Sequence, residues 1–136
     1  MEHNAACREH DSLARVLRLD IDPSTFKPDN VRQAALAPLI RKAIDMDPAQ
    51  APLMIKTLKN YLKTFDNCGD DFEKMDKYMP YRIPNCGYWI SSFFIRWGMD
   101  ITLSKSGYEP IRQYDIAMGN VLGLTNDYFS WNVEKD

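Results

Sequence analysis

Asn126, Ser130 and Glu134 recur at every fourth residue in the stretch LTNDYFSWNVEKD. Residues four apart on a helix stand one above another. This spacing therefore lines an amide oxygen, a hydroxyl and a carboxylate along a single stripe. All three are hard oxygen donors, the set magnesium prefers, and they are too few to fill an octahedron. A Mg²⁺ ion held this way keeps positions free for water or for phosphate oxygens. One protein carboxylate leaves it net positive, so it would seek an anionic ligand such as a diphosphate. The same triplet also arises by coincidence, because Asn, Ser and Glu are common on helices.

A second feature lies upstream, where Arg82 precedes the proline- and glycine-flanked break IPNCG. A guanidinium presents a planar fork that grips two phosphate oxygens at once, which a lysine cannot do. The segment after the break, YWISSFFIRW, carries Tyr88, Trp89, Phe93, Phe94 and Trp97. Ring faces stabilise a cation by about 0.5–2 kcal/mol each, although any one of these rings is as well explained by core packing.

The elements that must position these groups read as helices from end to end, with no convincing period-two strand, so the fold class is all-α. A weak helix reaches to about Arg18, and LDIDPSTFKPDN follows as a loop. Asp29 or Asn30 caps the next helix, whose apolar row is Val31, Ala35, Leu39, Ala43 and Met46, with Pro38 expected to kink it. Asp47 and Pro48 start another helix, with Leu58, Tyr61, Leu62 and Phe65 on its buried side. A short helix, FEKMDKYMPYR, is interrupted at Pro80, and the last helix runs from about Pro110. This divides the chain into an N-terminal segment of weak helix and loop, residues 1–28, and a main helical domain, residues 29–136.

A chain of 136 residues is one domain by length and can bury roughly two-thirds of its unfolded surface. It is 45% hydrophobic and 26% charged with net charge −2. That near-neutral balance argues against nucleic acid or an anionic membrane as the main partner, since both call for a basic surface. Cys7, Cys68 and Cys86 are odd in number and lack CxxC spacing, which favours a reducing compartment over disulfides or zinc. There is no signal-peptide h-region and no run near the ~18 apolar residues of a membrane span. The expectation is a soluble, cytoplasmic protein.

NDYFSWNVE resembles the NSE motif of class I terpene cyclases, N-D-x-x-S-x-x-x-E, and KYMPYRIPNCG resembles their diphosphate-sensor segment. The wider match, over roughly residues 31–136, is to the cyclase half of fungal chimeric terpene synthases of the fusicoccadiene and ophiobolin F synthase type. MDKYMPYRIPNCGYW, WGMDITL and LTNDYFSW carry most of it. The resemblance implies central helices of a class I terpenoid synthase bundle, incomplete in this chain. It implies that Asn126, Ser130 and Glu134 bind one of three Mg²⁺ ions that hold the substrate diphosphate, with Asp127 turned away from the metal. It makes Arg82 the diphosphate sensor, Asn85 the linker, where aspartate is more usual, and Cys86 the effector, acting through its backbone carbonyl. The implied activity is that of a lyase. A linear isoprenoid diphosphate, such as geranylgeranyl or geranylfarnesyl diphosphate, is ionised and cyclised through carbocations.

One departure bears on activity. The family's aspartate-rich motif is absent: Asp70 and Asp71 are the only tandem pair, and Lys74 stands where a further acid is needed. They read as helix caps. By comparison with the family, that motif would lie before Met1, and a terminal Arg-Tyr pair after Asp136. The isolated chain is therefore expected to be weak or inactive. The alternative is a non-catalytic helical remnant or interaction module, prone to self-association through apolar helix faces left without partners. A metal-dependent hydrolase would need clustered His and Asp, whereas His3 and His10 lie near the N-terminus and are expected to face solvent.

Overall fold

The computed structural model describes residues 3–64 and 72–134. They form α1 (His3–Ala14), α2 (Val31–Met46), α3 (Ala51–Thr64), α4 (Met75–Asn85), α5 (Tyr88–Gly98), α6 (Lys105–Tyr108), a 3₁₀ turn (Glu109–Ile111) and α7 (Arg112–Glu134). No strand occurs among the described residues, so the fold is all-α. The chain divides into two compact units, Met1–Cys68 and Gly69–Asp136.

In the first unit, α2 begins where Asn30 Oδ1 accepts the Gln33 amide at 2.9 Å, a side-chain cap for one of the free N-terminal donors. The buried face of α2 is Gln33, Ala37, Ile40 and Ile44. The expected row Val31, Leu39 and Met46 points out instead and is largely exposed. Both rows have helical spacing, and polar pairing decides between them. Gln33 is fully buried, with Nε2 donating to Ser12 O at 2.7 Å and Oε1 accepting from the Asp29 amide at 2.7 Å. A satisfied amide can be buried at little cost, so it draws its own face inward. Val16, Leu17, Ile21, Met54 and Ile55 complete this core.

Asp47 closes α2, and its carboxylate accepts the Gln50 amide at 3.1 Å, leading into α3. Burial on α3 lies at Ala51, Met54 and Ile55; Leu58, Tyr61 and Leu62, expected to be buried, are only half-buried. Phe65, Cys68, Asp70 and Asp71 lie outside the described residues. His10, expected at the surface, is half-buried.

In the second unit, α4 starts at Met75, later than its sequence suggests, and runs through both Pro80 and Pro84 to Asn85. Each proline withholds one backbone donor, yet the final turn still closes, with Cys86 N donating to Arg82 O at 2.8 Å. The break is confined to Cys86 and Gly87. Gly87 has φ 79°, a left-handed conformation that favours glycine, and it redirects the chain into α5.

α4 and α7 run antiparallel, as the pairs Tyr78–Asp127, Arg82–Gly123 and Ile83–Gly119 show. Gly119 and Gly123 are one turn apart and both face α4. A Cβ on Gly119 would lie 2.7 Å from Ile83 Cγ2, and one on Gly123 would lie 3.0 Å from Arg82 Cγ. The approach of the two helices depends on these side chains being absent. Elsewhere the unit is held by a buried acid. Asp115 accepts from Tyr88 Oη at 2.5 Å and from Arg96 Nη2 at 2.8 Å, joining α5 to α7.

Candidate functional site

Arg82 lies in the last turn of α4, and its side chain is 11% exposed. Three side chains from two helices take up its guanidinium. Nε donates to Asp127 Oδ1 at 2.7 Å, one terminal nitrogen to Asn85 Oδ1 at 2.5 Å, and the other to Asn126 Oδ1 at 2.6 Å. The nitrogen on Asn126 also lies 2.5 Å from Asp127 Oδ1. Burial pushes the guanidinium pKa down, but the Asp127 carboxylate outweighs it and holds the group above its ordinary value. Arg82 is a fixed cation.

Asp127 is anchored from a second direction. Tyr78, one turn before Arg82 on α4, donates its hydroxyl to Asp127 Oδ2 at 2.6 Å. Burial and then the Asp127 carboxylate push Tyr78 up to about 12, so it remains a donor at neutral pH. Its ring is set by Phe72 at 5.7 Å. The carboxylate is therefore turned onto α4 rather than along the stripe of Asn126 and Ser130.

The sequence-derived residues fall as follows. Arg82, Asn85 and Asn126 come together in one hydrogen-bonded cluster. Cys86 caps the same helix as a free thiol, with Sγ 3.3 Å from Ile83 O. Ser130 lies one turn beyond Asn126 on α7. Its Oγ is buried with no hydrogen-bond partner among the described residues. Glu134 is the last residue of α7, and its side chain lies outside the described residues. No group of three or more His, Cys, Asp or Glu capable of holding a metal occurs among the described residues.

The donor set nevertheless fits a hard cation. A helical serine ordinarily returns its hydroxyl to the carbonyl one turn back, and a buried hydroxyl without a partner loses hydration uncompensated. Ser130 Oγ thus has no hydrogen bond among the described residues to give up, one helical turn from Asn126.

The aromatic segment divides by role. The Tyr88 hydroxyl is committed to Asp115. Phe93, Phe94 and Trp97 pack on one another along α5, with centroids 5.2–6.4 Å apart. Trp89 lines a cleft of about 400 Å³ with Asp76, Met79, Pro80, Ile83, Ile116 and Asn120. Sequence reasoning gave Tyr78 no role and made no use of Gly119 and Gly123. The available signals were the four-residue step from Tyr78 to Arg82 and the Gly-x-x-x-Gly spacing in GNVLG.

A family model described as Terpene synthase family 2, C-terminal metal binding matches residues 2–136. The chain belongs to the terpene synthase family. Among curated relatives, a bifunctional sesterterpene synthase of Talaromyces wortmannii is 28% identical over 93% of this chain and 17% of its own length. A terpene cyclase of Stachybotrys chlorohalonatus is 33% identical over 65% of this chain and 23% of its own. Ophiobolin F synthase of Aspergillus clavatus is 24% identical over 81% and 16%, respectively. The chain thus spans less than a quarter of each of these terpene synthases. No solved structure matches. No helix among the described residues is long and apolar enough to cross a membrane.

Proposed function

We propose that this chain carries the diphosphate-handling part of a class I terpene cyclase, a lyase acting on a linear isoprenoid diphosphate such as geranylgeranyl or geranylfarnesyl diphosphate. Arg82 grips the diphosphate through its planar fork. Asn126, Ser130 and Glu134 hold Mg²⁺, whose chemistry is to neutralise charge developing on the departing diphosphate. Asn85 links Arg82 to the helix end, so that movement of the guanidinium reaches the backbone at Cys86. Supporting this reading is one observation above the rest: the Arg82 guanidinium lies 2.6 Å from the Asn126 amide oxygen, so the two separate sequence motifs meet at one place.

The chain by itself is a weak or inactive cyclase, because the aspartate-rich motif that binds the other two of the family's three Mg²⁺ ions is not among its residues, and most of the leaving-group stabilisation goes with those ions. Calorimetric titration with inorganic diphosphate, with and without Mg²⁺, tests the assignment. Binding is expected only with Mg²⁺ and is expected to be lost in Glu134→Ala. Binding indifferent to Mg²⁺, or no binding at all, would overturn it. The second reading, a non-catalytic helical module, is favoured by the exposed apolar residues of α7 and predicts no response to Glu134→Ala.

A further inference from the structure

The hydrogen bond between Arg82 and Asn126 has a cost for metal binding. Asn126 Oδ1 is the atom the metal reading needs, and a charged guanidinium already donates to it at 2.6 Å. An oxygen that accepts from one cation is a poor ligand for another, since both draw on the same lone pairs and the two positive charges repel. Arg82 is not left there by chance. The Asp127 carboxylate takes its Nε at 2.7 Å, Tyr78 fixes the other oxygen of that carboxylate at 2.6 Å, and Asn85 holds the remaining arm at 2.5 Å. Every arm of the guanidinium is engaged.

We propose that Tyr78 and Asp127 are positioning residues that park Arg82 on the Asn126 amide oxygen, so that arginine and divalent cation compete for one ligand atom until phosphate draws the arginine away. This rests on the functional reading above and extends it. Phosphate offers the guanidinium two oxygens in a fork geometry, where Asp127 now supplies only Oδ1 to Nε and one terminal nitrogen, its other oxygen being held by Tyr78. As Arg82 turns to the phosphate oxygens, Asn126 Oδ1 is released one helical turn from the unpartnered Ser130 Oγ. The linkage is reciprocal: whatever factor diphosphate adds to metal affinity, metal adds to diphosphate affinity. Asp127 sets the threshold, because it competes with phosphate for the same cation.

The consequence runs opposite to that of a simple binding arginine. Mn²⁺ binding to the full chain, followed by electron paramagnetic resonance without phosphate, should tighten in Arg82→Gln by about tenfold, the size of one charge-assisted hydrogen bond. Tyr78→Phe keeps the arginine and loosens its anchor, and should tighten metal-only binding by about threefold. With saturating inorganic diphosphate the wild-type chain should gain more metal affinity than Arg82→Gln, whose gain is limited to direct coordination of the ion by phosphate oxygens; equal gains would overturn the release of Asn126 by phosphate. Circular dichroism checks that each variant is folded, and a gain in affinity is a readout that loss of structure cannot mimic. Should Arg82→Gln fail to fold, Tyr78→Phe carries the test. Metal-only affinity unchanged or weakened in the folded variants, beside a normal diphosphate response in the wild type, would overturn the parking of Arg82 and leave the site assignment standing. A wild-type chain that binds no metal even with diphosphate would overturn both.

Discussion

Among the described residues of the second unit, charge at Arg82 and at Asp115 holds helices together, and pH tests the contribution of Asp115. It is 6% exposed. Burial pushes its pKa up, but hydrogen bonds from Tyr88 and Arg96 outweigh that and hold it below the ordinary aspartate value. A carboxyl group lowered on folding contributes stability that is present above its unfolded pKa and lost as pH falls through the folded one. Thermal stability should therefore fall as the pH drops below about 4, the ordinary aspartate range, and a pH series of melting temperatures reads this directly. Asp115→Asn should weaken that acid dependence, to which the lowered carboxyls of Asp20, Asp22 and Asp45 also contribute. The same substitution should lower unfolding free energy by about 2 kcal/mol in urea titrations. At the alkaline end the sign reverses. Burial and then Asp115 push Tyr88 up to about 12, so its contribution holds below the ordinary tyrosine value and is lost between there and about pH 12. A melting temperature indifferent to acid would show that Asp115 is not the tie between α5 and α7.

At the scale of elements, the crossing of α4 and α7 places Arg82 against Asn126. Alanine is the better helix former by about 1 kcal/mol, so an exposed glycine in α7 would gain from replacement. Gly119→Ala should lose instead, by roughly 1–3 kcal/mol, because its Cβ would meet Ile83 and overpacking forces the helices apart. Gly98 provides the contrast, since a methyl group added there would have no neighbour within 4 Å. Gly98→Ala should be neutral or stabilising. Calorimetric melting of the two variants decides the matter: equal effects would mean that α4 and α7 are not in close apposition. The helices themselves were legible in the sequence through caps and apolar spacing, as at Asn30 and α2. The inward face was not legible there, because two rows fit the period and the Gln33 amide network, reaching back to Ser12, chose between them. Tyr78 was missed for the same reason: its partner Asp127 lies on another helix.

For the whole molecule, the notable quantity is apolar surface. Tyr114, Met118, Val121 and Tyr128, at heptad-like steps along α7, are all largely exposed, as are Phe129, Trp131 and Val133. A contiguous apolar face of this kind marks an interaction surface or an aggregation liability. The chain should accordingly self-associate at micromolar concentration, and Met118→Lys with Val121→Lys should shift it towards monomer in sedimentation velocity. A wild-type chain that remains monomeric throughout would overturn this expectation. The fold class and family motifs were readable at this scale, and the division at Cys68–Gly69 falls within DNCGDD, a run of turn residues that reads as a break between helices.

By itself the sequence determined that the chain is helical and, through caps and helical periodicity, where most helices lie, although α4 runs through the prolines expected to interrupt it, and it supplied the Arg82 and Asn126–Ser130–Glu134 motifs. These are properties of neighbours along the chain, where spacing alone sets which side chains share a face. Tertiary structure alone decided that Arg82 rests on Asn126, that Asp127 and Tyr78 hold it there, and that Gly119 and Gly123 admit α4. Those contacts join helices far apart in sequence, and which faces meet depends on the fit of both surfaces and on where buried charge finds a partner.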